Sequence, residues 1–270
     1  MKPLRLAILD LYDGVSNQGM RCIEEIVRQF DEIRYDKYDV RGEGSVPDLS
    51  YDIYISTGGP GSPHKGDGTW DRRYYDWLKQ CWEWNQSGMR RKKRVFFICH
   101  SFQMACKFFR VGKVVPRRSM SFGIFPVHKL PAGLADPLFN GLPDIFWAAD
   151  FREWQVVQPD RKRLKNLGAS LLAIEKERPH VPLERAVMAV RFSDDMIGVQ
   201  FHPEADPEGM IEHFMDPKRR SKIIAEQGEK KYLKMMDHLH DSDKLALTHE
   251  IVLPLFLFRS IQLLQETAVA

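Results

Sequence analysis

A chain of 270 residues, 43% hydrophobic and 29% charged, has the make-up of a globular protein with one large core, with or without an extension. Forty Lys and Arg against 37 Asp and Glu leave a formal charge of +3, a near-balance that argues against a nucleic-acid-coating protein. No segment approaches about 20 uninterrupted apolar residues, so no membrane span is expected. The four cysteines (Cys22, Cys81, Cys99, Cys106) form no CxxC pair and no regular framework, which fits a reduced, cytoplasmic setting.

In chain order, residues 4–10 read as a first buried strand, too short and too interrupted by Arg5 for a signal peptide. Asn17-Gln18-Gly19 leads into a helix whose Cys22, Ile23, Ile26, Val27 and Phe30 follow the helical period. Residues 51–56 form a second apolar strand, running into a loop rich in glycine and proline. Trp70, Trp77 and Trp84 stand seven apart with Tyr74 and Cys81 between them, the stripe of a helix packed on a core. The basic run Arg90-Arg91-Lys92-Lys93-Arg94 reads as a solvated loop leading into the strand Val95-Phe96-Phe97-Ile98, which stops at Cys99. Gln103 to Lys107 then read as helix. This alternation predicts a parallel sheet with helices on both faces.

From about Val114 the texture changes. Residues 122–127, 145–148, 155–158, 171–175, 186–190 and 197–201 read as short strands between turns, hence as an antiparallel part of the sheet. Beyond Glu204 the pattern is helical over 207–214, 218–238 and 244–264, with a bend expected near Pro254. The expected fold class is therefore α/β, with a mostly parallel central sheet, an antiparallel part and a C-terminal helical extension. Residues 1–204 form the main domain, and 205–270 pack on it. The stretch Ile251-Val252-Leu253-Pro254-Leu255-Phe256-Leu257-Phe258 is apolar on nearly every side. It belongs either against the domain or in the interface of a homo-oligomer.

Three strand ends carry chemistry. At a strand-to-helix turn, Cys99 is held clear of both elements, near helix N–H groups that favour a thiolate and bind an oxyanion. Taken alone, such a cysteine more often only packs. The second is Ser56-Thr57-Gly58-Gly59-Pro60-Gly61-Ser62-Pro63, whose three glycines let backbone approach a ligand closely. Neighbouring parallel strands open onto one crevice, so a glycine N–H can face the cysteine. The third is Ile197-Gly198-Val199-Gln200-Phe201-His202-Pro203-Glu204. There His202 and Glu204 project to the same side, where a carboxylate can orient the imidazole and stabilise its charged form, although a lone His-x-Glu at a strand end is more often structural or a surface pair. A metal set of Cys99, Cys106, His202 and Glu204 lacks compact ligand spacing, and no metal is expected.

Together, residues 56–63, 98–103 and 198–204 resemble the class I glutamine amidotransferases, the triad family of glutaminase domains. Two further segments, Ser121-Phe122-Gly123-Ile124-Phe125-Pro126-Val127 and Asp136-Pro137-Leu138-Phe139-Asn140-Gly141-Leu142-Pro143, resemble the stand-alone subgroup similar to the glutaminase domain of GMP synthase. The resemblance covers about residues 4–204 and implies a three-layer, flavodoxin-like catalytic domain without a cofactor. It implies Cys99 as nucleophile on the side-chain amide of glutamine, His202 as its proton carrier and Glu204 as the group that fixes the ring. It also implies an oxyanion hole from the N–H groups of Gly59 and His100, and substrate contacts at Gly61, Gln103, Met120, Ser121 and Phe122.

Ammonia released in this way would serve a separate synthetase chain, with neither nucleic acid nor membrane as partner. A γ-glutamyl peptide or γ-glutamyl amine hydrolase would use the same residues. A reading from a different class is a catalytically degenerate binding or regulatory subunit. Two departures motivate it: Phe97 and Ser101 stand where the family's elbows usually carry glycine. In Trp147-Ala148-Ala149-Asp150-Phe151-Arg152-Glu153-Trp154, which replaces a His-containing segment of many relatives, Arg152 and Glu153 either recognise the substrate end or are surface charges.

Overall fold

Runs such as Leu6-Ala7-Ile8-Leu9, apolar without alternation, need cover on both faces of a sheet, and they receive it. The computed structural model describes residues 3–15, 17–180 and 182–269. Its elements begin with β1 (Leu4–Asp10), α1 (Gln18–Val27), β2 (Ile33–Asp39), β3 (Ile53–Ser56), α2 (Trp70–Gln86), β4 (Arg94–Ile98) and α3 (His100–Phe109). The middle of the chain forms β5 (Lys113–Lys129), α4 (Pro131–Ala135), β6 (Ile145–Val157), α5 (Arg161–Leu167), β7 (Ser170–Glu175), β8 (Val187–Ser193) and β9 (Met196–Val199). Helices α6 (Pro207–Met215), α7 (Pro217–Gln227), α8 (Glu229–Leu239) and α9 (Leu245–Val269) complete it.

One sheet runs in the order β2-β1-β3-β4-β9-β8-β7-β5-β6. The first five strands are mutually parallel, and each of the other four is antiparallel to its neighbours. Because strand side chains alternate, Leu6, Ile8, Phe96 and Ile98 enter one layer with Ile23 and Ile26 of α1 and Val252, Leu253 and Leu257 of α9. Ala7, Leu9, Val95 and Phe97 enter the other, with Tyr74 and Trp77 of α2 and Phe102 and Phe109 of α3. This is the three-layer, flavodoxin-like α/β arrangement expected from the sequence.

The differences have physical causes. Strand β2 carries Arg34, Asp36, Lys37 and Asp39 at the sheet edge, so no apolar run announces it. Segments 145–148 and 155–158 are one strand, β6, paired along β5 with a register shift between Pro116 and Ser121. Gly228, at φ 86°, divides the expected helix 218–238 into α7 and α8. The basic run is not simply solvated: Lys93 is 4% exposed and donates to the Tyr51 carbonyl, and Arg94 pairs with Asp195. Helix α9 is long and apolar enough to cross a membrane by length and composition, yet its inner face lies in the core, with Phe256 at 4.9 Å from Phe96.

Phe97 at the elbow is accommodated across the ladder. It pairs with Gly198 of β9, where a Cβ would stand 3.1 Å from the Phe97 Cβ and 2.9 Å from Phe102 Cδ2. The missing glycine of β4 is in effect supplied by the next strand. Gly198→Val is therefore expected to overpack this layer and destabilise by about 1–3 kcal/mol, read as a lower urea midpoint. Adding Phe97→Ala to that variant recovers part of the loss; equal midpoints for both would refute the compensation.

Candidate active site

Cys99 directly follows β4, with φ 49° and ψ −96° at the N-cap of α3. A positive φ on a non-glycine residue stores strain, so the surroundings must enforce it. The Cys99 N–H donates to the Val199 carbonyl of β9 (2.8 Å), and the Cys99 carbonyl accepts from the Gln103 N–H (3.1 Å). Ser101 adds a tie that glycine would lack. Its hydroxyl donates to the Ser56 carbonyl of β3 (2.7 Å) and accepts the Ile98 N–H (2.9 Å). Both departures from the family elbow are thus compensated within the structure.

The loop after β3 is held as firmly. The Thr57 hydroxyl accepts the Leu11 N–H (2.9 Å) and donates to the Gly58 carbonyl (2.8 Å). In a trans peptide this turns the Gly59 N–H to the opposite edge, and among the described residues it has no acceptor. The His100 N–H, first in α3, has no intrahelical acceptor either. A Cβ on Gly59 would lie 2.3 Å from the Leu11 carbonyl oxygen, and one on Gly58 would lie 2.9 Å from His202 Cε1 and 3.6 Å from Cys99 Cβ. Loop, imidazole and thiol converge at Gly58.

His202 follows β9, and its N–H donates to the Ala149 carbonyl of β6 (2.9 Å). Its Nδ1–H donates to Glu204 Oε1 at 2.8 Å, leaving Nε2 for other partners. Burial opposes charge on this ring, but Glu204 and Cys99 beside it outweigh burial and hold the imidazole well above its ordinary range. Glu204 is 1% exposed, with Oε2 buried and unpartnered, and the His249 ring of α9 donates from Nδ1 to its backbone carbonyl (3.0 Å). Cys99 is 5% exposed, with Gln200 Nε2 at 3.6 Å from its sulfur.

A cavity of about 210 Å3 opens on one side of Cys99, lined in part by Gly59, Gly61, His100, Gln103, Met120 and Trp154. Gly61 has φ 80°, and the Gln103 amide donates to the Trp154 carbonyl (3.2 Å) and to Gln200 Oε1 (3.1 Å). Ser121 and Phe122 lie elsewhere, on a neighbouring cavity that Met120 also borders. The Ser121 hydroxyl donates to Asp150 (2.7 Å), while Phe122 packs against Phe151 and Phe214. Arg152 is not a surface charge: Asp150 (2.7 Å) and Glu175 (3.5 Å) hold its buried guanidinium, and it lines the first cavity beside Gln103 and Met120. Glu153 is exposed at the rim of the first cavity. A second, larger cavity lies across Cys99, and His202 and Glu204 line that one. Cys106 is buried in the opposite layer from Cys99, so the four-residue metal set is not assembled.

Arg41 has no counterpart in the sequence reading. Its guanidinium donates to the Pro60 carbonyl and to His100 Nε2, both at 2.7 Å, clamping the glycine loop to the start of α3. Since guanidinium cannot accept, His100 must be neutral on that nitrogen. Burial and the Arg41 charge push its pKa down to about 3. Nothing in the pattern around Arg41 signals this role, whereas Gln200 sits inside a motif already singled out.

The family model described as Glutamine amidotransferase class-I matches residues 7–217. A glutamine amidotransferase from Thermotoga maritima has a similar structure at 17% identity and TM-score 0.64, over 96% of this chain and 98% of that one. One from Methylobacillus flagellatus is similar at 16% identity and TM-score 0.62, over 98% and 96% of the two chains. The glutaminase domain of Trypanosoma brucei CTPS, with bound acivicin, is similar at 17% identity and TM-score 0.53, over 74% of this chain and 86% of that chain. No curated protein matches the chain.

Proposed function

The chain belongs to the class-I glutamine amidotransferase family, and on that premise we propose that it is a cysteine-dependent glutaminase releasing ammonia from glutamine. The observation that supports this most is one convergence at the ends of the adjacent strands β3, β4 and β9. There the strained Cys99, the His202–Glu204 pair and two N–H groups without acceptors come together.

In this reading His202 takes the Cys99 proton, and the thiolate attacks the side-chain carbonyl carbon of glutamine, forming the C–S bond. The carbonyl oxygen takes up the negative charge between the Gly59 and His100 N–H groups, each commonly worth a few kcal/mol. The C–N bond then breaks, and the nitrogen leaves as ammonia with the proton held on His202. Water adds to the thioester, yields a proton to His202, and the C–S bond breaks to give glutamate. Glu204 keeps the imidazole oriented throughout and stabilises its charged form whenever His202 holds the proton. Gly61, Gln103 and Met120 enclose the γ-glutamyl portion. In this reading a separate synthetase chain consumes the ammonia.

The test combines ammonia detection from glutamine with mass-spectrometric mapping of an acivicin adduct, the compound bound in the Trypanosoma brucei relative. The expected result is ammonia release and an adduct on Cys99. Neither turnover nor adduct would support the inactive binding-subunit reading instead.

A further inference from the structure

We propose that the larger cavity beside Cys99 receives the amine half of N-substituted γ-glutamyl amides, and that it selects amines with apolar, uncharged carbon skeletons. This rests on the glutaminase reading and extends it to a substrate class. The side on which a leaving group departs is set by the acid that protonates it. His202 lines the larger cavity and is absent from the walls of the smaller one, which holds Gly61 and Gln103. Cys99, Gly59 and Phe151 border both. The scissile carbon therefore sits on the partition, with its acyl chain on one side and its nitrogen substituent on the other.

Size and chemistry then define the substituent. Ammonia needs little more cavity than one water, roughly 10–15 Å3, whereas this cavity offers about 370 Å3. Its walls include Cys22, Phe151, Ala205, Met210 and Phe214. Neither lysine nor arginine lines it, and the carboxylate of Glu204 does. A leaving amino acid would bring its carboxylate beside Glu204 with neither lysine nor arginine to meet it, whereas an alkyl or aryl amine brings none. Nor is the wall an accident of a loose helix. The Asp206 side chain caps α6 through the Gly209 N–H (2.9 Å) and pairs with Arg21 of α1 (2.6 Å), fixing Met210 and Phe214 in place.

The step balances without a further reagent. The C–S bond forms as before, the C–N bond breaks, and the substituted nitrogen takes the proton from His202 and leaves as the free amine. Water completes the cycle.

The experiment compares kcat/KM for γ-glutamyl benzylamide, γ-glutamyl ethylamide, γ-glutamylglutamate and glutamine. The benzylamide is expected to exceed γ-glutamylglutamate by at least about tenfold. Met210→Trp, which fills the cavity, should lower the benzylamide-to-glutamine ratio by about tenfold or more, and Met210→Ala should move the preference towards bulkier amines. Glutamine turnover without benzylamide turnover would overturn the proposal and leave the glutaminase reading standing. So would a ratio unchanged in both variants, which would make the cavity a face for the ammonia-accepting chain. No turnover of any amide, with no acivicin adduct, would overturn both.

Discussion

Cys99→Ala is expected to lower ammonia release from glutamine at least about 10^4-fold, while Cys106→Ala keeps most of it. The two thiols are seven residues apart and differ in everything that governs reactivity. Cys99 lies on the partition between two cavities, beside His202 and Gln200. Cys106 points into the opposite layer among Phe97, Phe102 and Phe109, and burial pushes its thiol well above the ordinary range. A fold defect is separable from a chemical one. Cys99→Gly relieves the positive φ and should be at least as stable as Cys99→Ala in urea, yet equally inactive. Equal loss of activity from Cys99→Ala and Cys106→Ala would sink the assignment and revive a shared metal.

Glu204→Gln is the second large effect, with turnover near neutral pH falling roughly 10²- to 10³-fold. Glutamine in its place can still accept the Nδ1–H bond, so the ring stays oriented and the loss isolates the charge. The sign follows from the direction of the His202 shift. Burial favours the neutral ring, and Glu204 with Cys99 overrides it, so the raised value depends on the carboxylate. With that charge gone, the imidazolium deprotonates at lower pH, and the alkaline limb of kcat/KM moves to lower pH. A profile of unchanged shape, merely scaled down, would mean that Glu204 acts only as a spacer.

Most of this site could be read from strand ends. Apolar runs closing abruptly on Cys99, on residues 56–63 and on His202 mark the carboxyl ends of parallel strands, where side chains leave the sheet for the crevice. The supports of the site were hidden because they come from distant chain. Arg41 reaches His100 across 59 positions and His249 reaches Glu204 across 45, contacts that no local period encodes. The edge strand β2 was hidden for the opposite reason, since charged residues on its open face mask its alternation. Ser121 and Phe122 stand on the same strand as Met120 but serve a different cavity, because only the fold decides which wall a residue joins.

The bond from His249 to the Glu204 carbonyl has a consequence for the order in which the molecule is made. Every side chain of the proposed reaction exists once the ribosome has passed Glu204, yet the ring that secures its backbone is translated 45 residues later. The helix bearing it also closes one side of the core over Phe96, the strand residue three before Cys99. A nascent chain halted between these points would carry all its reactive side chains and lack the helix that packs against their strand and holds the Glu204 backbone. Competence to react is thus acquired with the helix that carries His249, after the last reactive side chain has been made.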